Sequence, residues 1–326
     1  KSMKNKRANI LFLLPLLLTS CGKQEHPVSD YRLTMNFHDD FKIMQWTDVH
    51  IGIQTDLKKT HALLKAEVDD FEEKEGAKPD LIVLTGDTFM GADRRMVKDT
   101  LKFFDSLEVP FAFTYGNHDI QGDYGTYYIN NQLKKCKNAV FVDYQDDTLF
   151  GLTNYFIDLV SDDYVKYRLF ILDSNSYYLD GTTMYYDVFH EEQIEHIEKV
   201  PTVYGSATSL AFYHIPVFEF LDAYNCYQNG TIPGTGENKE GVSKGYENQS
   251  QFDRMVNAGI KGMFIGHDHI NDTTLLYEGC ILSYGMKSTF EIYNLEIGYT
   301  VITLDESGVL NPSDVKKVTF EGGDYE

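Results

Sequence analysis

Apolar positions along the chain follow two alternating rhythms: short, mostly apolar runs, and stripes spaced three, four or seven residues apart. Phe41 to Thr47 reads as a strand ending at Asp48. Leu81 to Thr85 reads as a strand with a continuous apolar run, as burial on both faces requires. Between them, Asp56 is placed to cap a helix whose Leu57, Leu64, Val68 and Phe71 form one stripe, stopped by Gly76 and Pro79. A helix carrying Met96, Leu101, Phe104 and Leu107 precedes a strand at Phe111 to Tyr115. Strands at Arg168 to Leu172 and Ser209 to Tyr213 follow, then a helix at Gln251 to Ala258 and a strand at Gly262 to Ile265. From Thr273 the pattern predicts mostly antiparallel strands, at Cys280 to Tyr284, Tyr299 to Leu304 and Val315 to Phe320. Strands alternating with helices in this way predict an α/β fold.

The 326 residues are 42% apolar, enough for one full core, and the layout of the motifs described below favours one large domain over two small ones. Two stretches stand outside the alternation. Asp222 to Ser250 is rich in Gly, Asn, Tyr and Glu without a period, and is expected to be a loop lying over the functional site, with Tyr224, Tyr227 and Tyr246 within reach of a ligand. The tyrosine-rich segments Tyr124 to Tyr128 and Tyr177 to Tyr186 read as packed or rim aromatics.

The N-terminus is the second exception. Lys4, Lys6 and Arg7 precede an apolar run from Ile10 to Leu18, too short to span a bilayer, which needs roughly 20 residues. Leu18-Thr19-Ser20-Cys21 resembles a bacterial lipobox, with Met3 as the natural start. The expected organisation is a signal peptide at residues 1–20, a lipidated Cys21 with a tether at 21–38, and a catalytic domain at 39–326. That places the protein outside the cytoplasm, anchored to a bacterial membrane through Cys21. Cys136, Cys226 and Cys280 show no C-x-x-C spacing and read as free or buried thiols.

Charge narrows the ligands. Removing residues 1–20 takes away Lys1, Lys4, Lys6 and Arg7 and no acids, so the net charge moves from −21 to −25. Such a surface repels nucleic acid, and a phosphate site here must carry its own concentrated positive charge, which bound metal ions supply.

Five motifs share one position, each just after an apolar strand: Asp48-Val49-His50, Gly86-Asp87, Gly116-Asn117-His118-Asp119, His214, and Gly266-His267-Asp268-His269. Ligands in α/β sheets bind beyond the carboxyl ends of strands, so these side chains can converge on one crevice. Asp, Asn and His supply oxygen and imidazole donors suited to Zn, Fe or Mn. Asp48 and His50, and likewise His267 and His269, are two apart, so in extended backbone each pair faces one way. Asp87 has two oxygens and can bridge two ions. His118, next to Asn117, is the candidate general acid for a leaving alkoxide. Asp119 either orients His118 or caps the following turn. His26, His38, His61, His190 and His196 lack this setting and read as surface or helix-face residues.

These five motifs resemble the calcineurin-like metallophosphoesterases over about residues 40–320. Phe212-Tyr213-His214-Ile215-Pro216, Glu240-Gly241-Val242 and Gly266 to Asp272 narrow the resemblance to the branch of purple-acid-phosphatase-like phosphatases. It implies a four-layer α/β/β/α sandwich of two mixed sheets in a single catalytic domain. It also implies two divalent metal ions (Mn, Zn or Fe), one held by Asp48, His50, Asp87 and His269, the other by Asp87, Asn117, His214 and His267. The implied reaction is hydrolysis of a phosphorylated small molecule, a phosphomonoester in preference to a diester or nucleotide, by a hydroxide shared between the ions with His118 as acid. The alternative is a surface protein that binds phosphorylated ligands without turnover. Purple members place a tyrosine three residues after the bridging aspartate; Met90 stands there, so a colourless centre is expected.

Overall fold

The computed structural model describes residues 26–125, 127–143, 148–246, 251–293 and 295–320. The expected signal segment and Cys21 lie outside the described residues. After a 3-10 turn at Val28–Tyr31, the chain forms β1 (Arg32–Asn36), β2 (Phe41–Trp46), α1 (Leu57–Glu75), β3 (Leu81–Thr85), α2 (Arg94–Ser106), β4 (Phe111–Thr114) and α3 (Tyr128–Leu133). Then come β5 (Asn154–Ser161), β6 (Tyr164–Leu172), β7 (Tyr177–Asp180), β8 (Thr183–Tyr186), α4 (Glu191–Tyr204), β9 (Thr208–Phe212) and α5 (Glu219–Gln228). The last part is β10 (Gly234–Thr235), α6 (Gln251–Asn257), β11 (Ile260–Ile265), β12 (Thr274–Tyr277), β13 (Cys280–Tyr284), β14 (Ile297–Leu304) and β15 (Val315–Phe320).

Two mixed sheets carry the fold, in the orders β15-β14-β2-β3-β4 and β1-β5-β6-β9-β11-β13-β12-β10. The inner faces meet through Ile43, Leu81, Val83 and Ala112 of the first, packed in one cluster with Ile171, Leu210, Phe212 and Phe264 of the second. On the outer face of the first sheet, Leu64, Val68 and Phe71 of α1 and Val97, Leu101 and Phe104 of α2 cover Met44, Ile82 and Leu84. Helices α4, α5 and α6 cover the other sheet, completing an α/β/β/α sandwich in one domain.

The local signals act as expected. Asp56 caps α1 by accepting from the Lys58 and Lys59 amides, and Gly76 ends it in the left-handed conformation that a residue with Cβ adopts at a cost. β3 is buried along its length between parallel β2 and β4. Three expectations need correction. β13 pairs parallel with β11 and antiparallel only with β12. The stretch from Asp222 is not all loop, because α5 runs through to Gln228. The folded unit also starts before residue 39: β1 pairs parallel with β5, and Arg32 Nε donates to the buried Asp158 carboxylate at 2.7 Å.

One charge in the core has a consequence for stability. Glu67 lies on the buried face of α1. Burial pushes its carboxyl well above the usual range, and the Trp46 indole opposes this only in part. A carboxyl whose pKa rises on folding holds its proton more tightly in the native state, so stability falls as pH climbs past the unfolded value. Glu67→Gln removes that loss. Its melting temperature is expected to exceed the parent's by on the order of 2 °C at pH 8, with the gain shrinking toward pH 4. Equal melting temperatures at pH 8 would contradict this.

Candidate metal centre

All five motifs sit at the carboxyl ends of parallel strands: Asp48 after β2, Asp87 after β3, Asn117 after β4, His214 after β9 and His267 after β11. The two sheets are joined at this edge. Gln45 Nε2, on β2, donates to the Ile265 carbonyl of the opposite sheet at 3.0 Å and to Thr85 Oγ1 at 2.9 Å. His214 Nδ1 lies 2.9 Å from the Thr85 carbonyl, and the His267 amide donates to Asp48 Oδ2 at 3.1 Å. The crevice therefore takes ligands from both sheets.

The backbone is bent sharply where the side chains turn inward. Asp48, His50, Asp87 and His267 all have left-handed backbone, with φ of 52°, 55°, 49° and 80°. Residues with a Cβ rarely adopt this conformation, and it costs of order 1–3 kcal/mol each, so the surrounding structure must hold it. Glycines make room. A Cβ on Gly86 would stand 2.6 Å from the His214 ring, and one on Gly116 would collide with the Asp87 carboxylate.

Asp48, His50, Asp87 and His269 bring one donor atom each within 4.8 Å of one another, and so do Asp87, His214 and His267. Asp87 belongs to both groups. Each acidic or amide donor has one atom fixed by the protein and one facing the crevice. Asp48 Oδ2 accepts from Thr47 Oγ1 and the His267 amide, whereas Oδ1 is buried without a donor and lies 3.5 Å from His50 Nε2 and 3.4 Å from His269 Nε2. Asp87 Oδ1 accepts from the His118 amide at 2.7 Å, leaving Oδ2 facing His214 Nε2 at 3.1 Å. Asn117 Nδ2 points to the Tyr177 hydroxyl at 3.3 Å, and its Oδ1 is buried without a partner. His267 Nε2 is also buried without one. His50 Nε2 and His269 Nε2 lie 2.9 Å apart, two ring nitrogens aimed at the same point.

Electrostatics match. Burial raises the Asp48 carboxyl, but the His269 and His50 imidazoles together hold it well below its usual range. Burial likewise works against ionisation of Asp87, and the charge of His214 brings it down to about 2. His214 itself, despite burial, is lifted to about 10 by Asp87, while burial and then the charge of His214 push His267 down to about 3. Two buried carboxylates thus require positive charge at this point, and a cation binding there displaces protons from its ligands. The orphaned oxygens, converging imidazoles and carboxylates fit divalent ions, and Asp87 is common to both donor groups. The His214 Nδ1–H bond to Thr85 fixes that ring with Nε2 facing inward.

His118 stands at the mouth, its ring centroid 5.5 Å from that of His50 and its Nε2 3.9 Å from Asp87 Oδ2. Asp119 does not hold it. The Asp119 carboxylate accepts from the Phe89 and Gly116 amides, both at 2.7 Å, so it pins the turn that carries Asn117. The orienting contact is Gln121 Oε1, 2.8 Å from His118 Nδ1. Sequence reading missed Gln121, although a polar residue three positions on in a tight turn is a local signal. Asp268, between His267 and His269, anchors its loop by accepting from Tyr284 Oη and the Ser243 amide. Glu240 accepts from the Ile270 amide, and its own amide donates to Asn271. The 236–246 stretch is therefore bonded along the last metal motif. Tyr186 packs edge-on against His267, with centroids 4.2 Å apart, and Tyr246 packs on Tyr178 and Tyr185. The remaining histidines lie away from the centre, with His196 buried on the inner face of α4.

A two-sheet α/β sandwich that gathers carboxylate and imidazole donors at its strand ends defines a class of candidate metal-binding proteins. The sequence profile of the calcineurin-like phosphoesterases matches residues 41–271, and the chain belongs to that family. It is 28% identical over 306 residues to "Probable inactive purple acid phosphatase 29" of Arabidopsis thaliana, covering 80% of this chain and 75% of that protein. It is also 28% identical over 274 residues to "Phosphatase DCR2" of Saccharomyces cerevisiae, covering 75% of this chain but 46% of the yeast protein. A solved crystal structure superposes with a TM-score of 0.53 at 12% identity, over 86% of this chain and 100% of the other, a likeness of fold alone.

Proposed function

We propose that the protein is a dinuclear-metal phosphoesterase that favours phosphomonoesters. The observation that carries this reading is Asp87 at the junction of two donor groups, each with buried atoms left for an ion. Asp48, His50, Asp87 and His269 would hold one ion, and Asp87, Asn117, His214 and His267 the other. The pair would supply an activated water nucleophile and neutralise phosphoryl charge. The chain's own residues do the rest. Gln121 Oε1 accepts Nδ1–H of His118, so the imidazolium form directs Nε2–H at the crevice, where it protonates the leaving alkoxide. The 116–119 turn, pinned by Asp119, holds Asn117 and His118 in register.

Relatives named as inactive favour a second reading, a protein that binds phosphorylated ligands without turnover. Against it, every ligand position is filled in this chain and His118 is retained. Turnover of p-nitrophenyl phosphate and bis-p-nitrophenyl phosphate separates the cases: faster monoester hydrolysis is expected, a diester preference would shift the substrate class, and no turnover of either would favour the binder. For the N-terminal segment, the proposal is lipidation at Cys21 outside the cytoplasm. Metabolic palmitate labelling of the full chain is expected, and Cys21→Ser is expected to abolish it; labelling that survives the substitution would overturn the anchor.

A further inference from the structure

A cavity of about 620 Å³ lies against the turn that carries His118, with Gly116 and Ile120 in one wall. Tyr177 stands where cavity and metal centre meet, lining the first and touching Asn117 Nδ2 in the second. A general acid works on the leaving-group side, so His118 in that role places the departing alcohol beside this cavity. The rim is apolar and open: Ile120, Tyr127, Phe150 and Tyr177 are 37–47% exposed. Deeper in, the lining is acidic. Asp173, held by the Leu152 and Asn175 amides, Asp187, paired with His190, and Glu192 all contribute, and no Lys or Arg is among the described lining residues. Asn175 also lines it, 7% exposed, with a buried Oδ1 that lacks a donor. Gly151 packs beside that oxygen, where a Cβ would sit 3.2 Å from it.

We propose that this cavity is the leaving-group subsite and selects phosphate monoesters whose alcohol joins a cationic amine to an apolar or aromatic body. Aromatic faces and carboxylates both attract an ammonium group, and Asn175 Oδ1 offers it an acceptor. The same lining repels a second phosphate, so polyphosphates are poor ligands. The proposal rests on the phosphoesterase reading above, but its test does not need turnover.

Three benzylphosphonates, with aminomethyl, hydrogen or carboxyl at the para position, cannot be hydrolysed and differ in charge at the far end. Calorimetric titration into the manganese-loaded protein is expected to show the aminomethyl compound binding about tenfold tighter than the carboxyl one or better. Glu192→Gln is expected to cut that ratio about threefold while leaving the unsubstituted compound unchanged. Equal affinities, tighter binding of the carboxyl compound, or no binding of any of the three would overturn the proposal. So would a ratio that Glu192→Gln does not change, which would trace the preference to the overall negative charge. Hydrolysis of p-nitrophenyl phosphate, assayed alongside, reports on the phosphoesterase reading separately.

Discussion

Asp87→Asn is expected to lower kcat/KM for a phosphomonoester by at least about a thousandfold, equivalent to about 4 kcal/mol of transition-state stabilisation. The substitution keeps the shape of the side chain and removes its charge. Asp87 Oδ1 receives the His118 amide, and Oδ2 faces the crevice at the junction of the two donor groups. Losing the charge therefore weakens both ion sites at once, and bound metal per chain is expected to fall with the activity. Metal content by mass spectrometry, measured beside the kinetics, checks the cause. A variant that keeps two ions and most of its turnover would exclude Asp87 as a ligand shared by two ions.

His118→Ala is the second large effect, and its size depends on the leaving group. General acids contribute typically 10²–10⁴-fold. An alkoxide leaves badly without a proton, so kcat toward an alkyl phosphate such as glycerol phosphate is expected to fall by about that factor. p-Nitrophenolate leaves readily as the anion, so the loss on p-nitrophenyl phosphate is expected to be much smaller. Metal content stays unchanged, since His118 is outside both donor groups. Equal losses on both substrates would indicate that His118 positions the phosphate and donates no proton.

The site was more legible in the sequence than the fold around it. Strand-end motifs announce themselves because glycines and ligands have few substitutes where backbone turns at positive φ and side chains nearly touch. Gly86 beside His214 and Gly116 beside Asp87 show why. Asp119 was ambiguous for a physical reason: a carboxylate three residues past a glycine can bond a ring or an amide, and only the tertiary contact with the Phe89 amide decides. The less legible elements are those whose pattern is weak or whose partners are distant. β5 belongs to the sheet through its pairing with β1 and β6. α4 keeps Ile194, Ile197 and Val200 on its buried face, yet carries Pro201, a residue that argues against helix in sequence alone. β7 and β8 form an exposed tyrosine-rich hairpin with no core-facing alternation to mark it.

The relatives bear on activity in both directions, one named a phosphatase and others named inactive. The chain's own donors decide what it can hold. The most direct test of a two-ion centre is the metal content of the purified protein, measured together with its hydrolysis of p-nitrophenyl phosphate before and after chelation. The expected result is two divalent ions per chain, loss of hydrolysis on chelation, and recovery on adding Mn, Zn or Fe(II). Hydrolysis indifferent to the chelator, or a chain that never holds more than one ion, would contradict it.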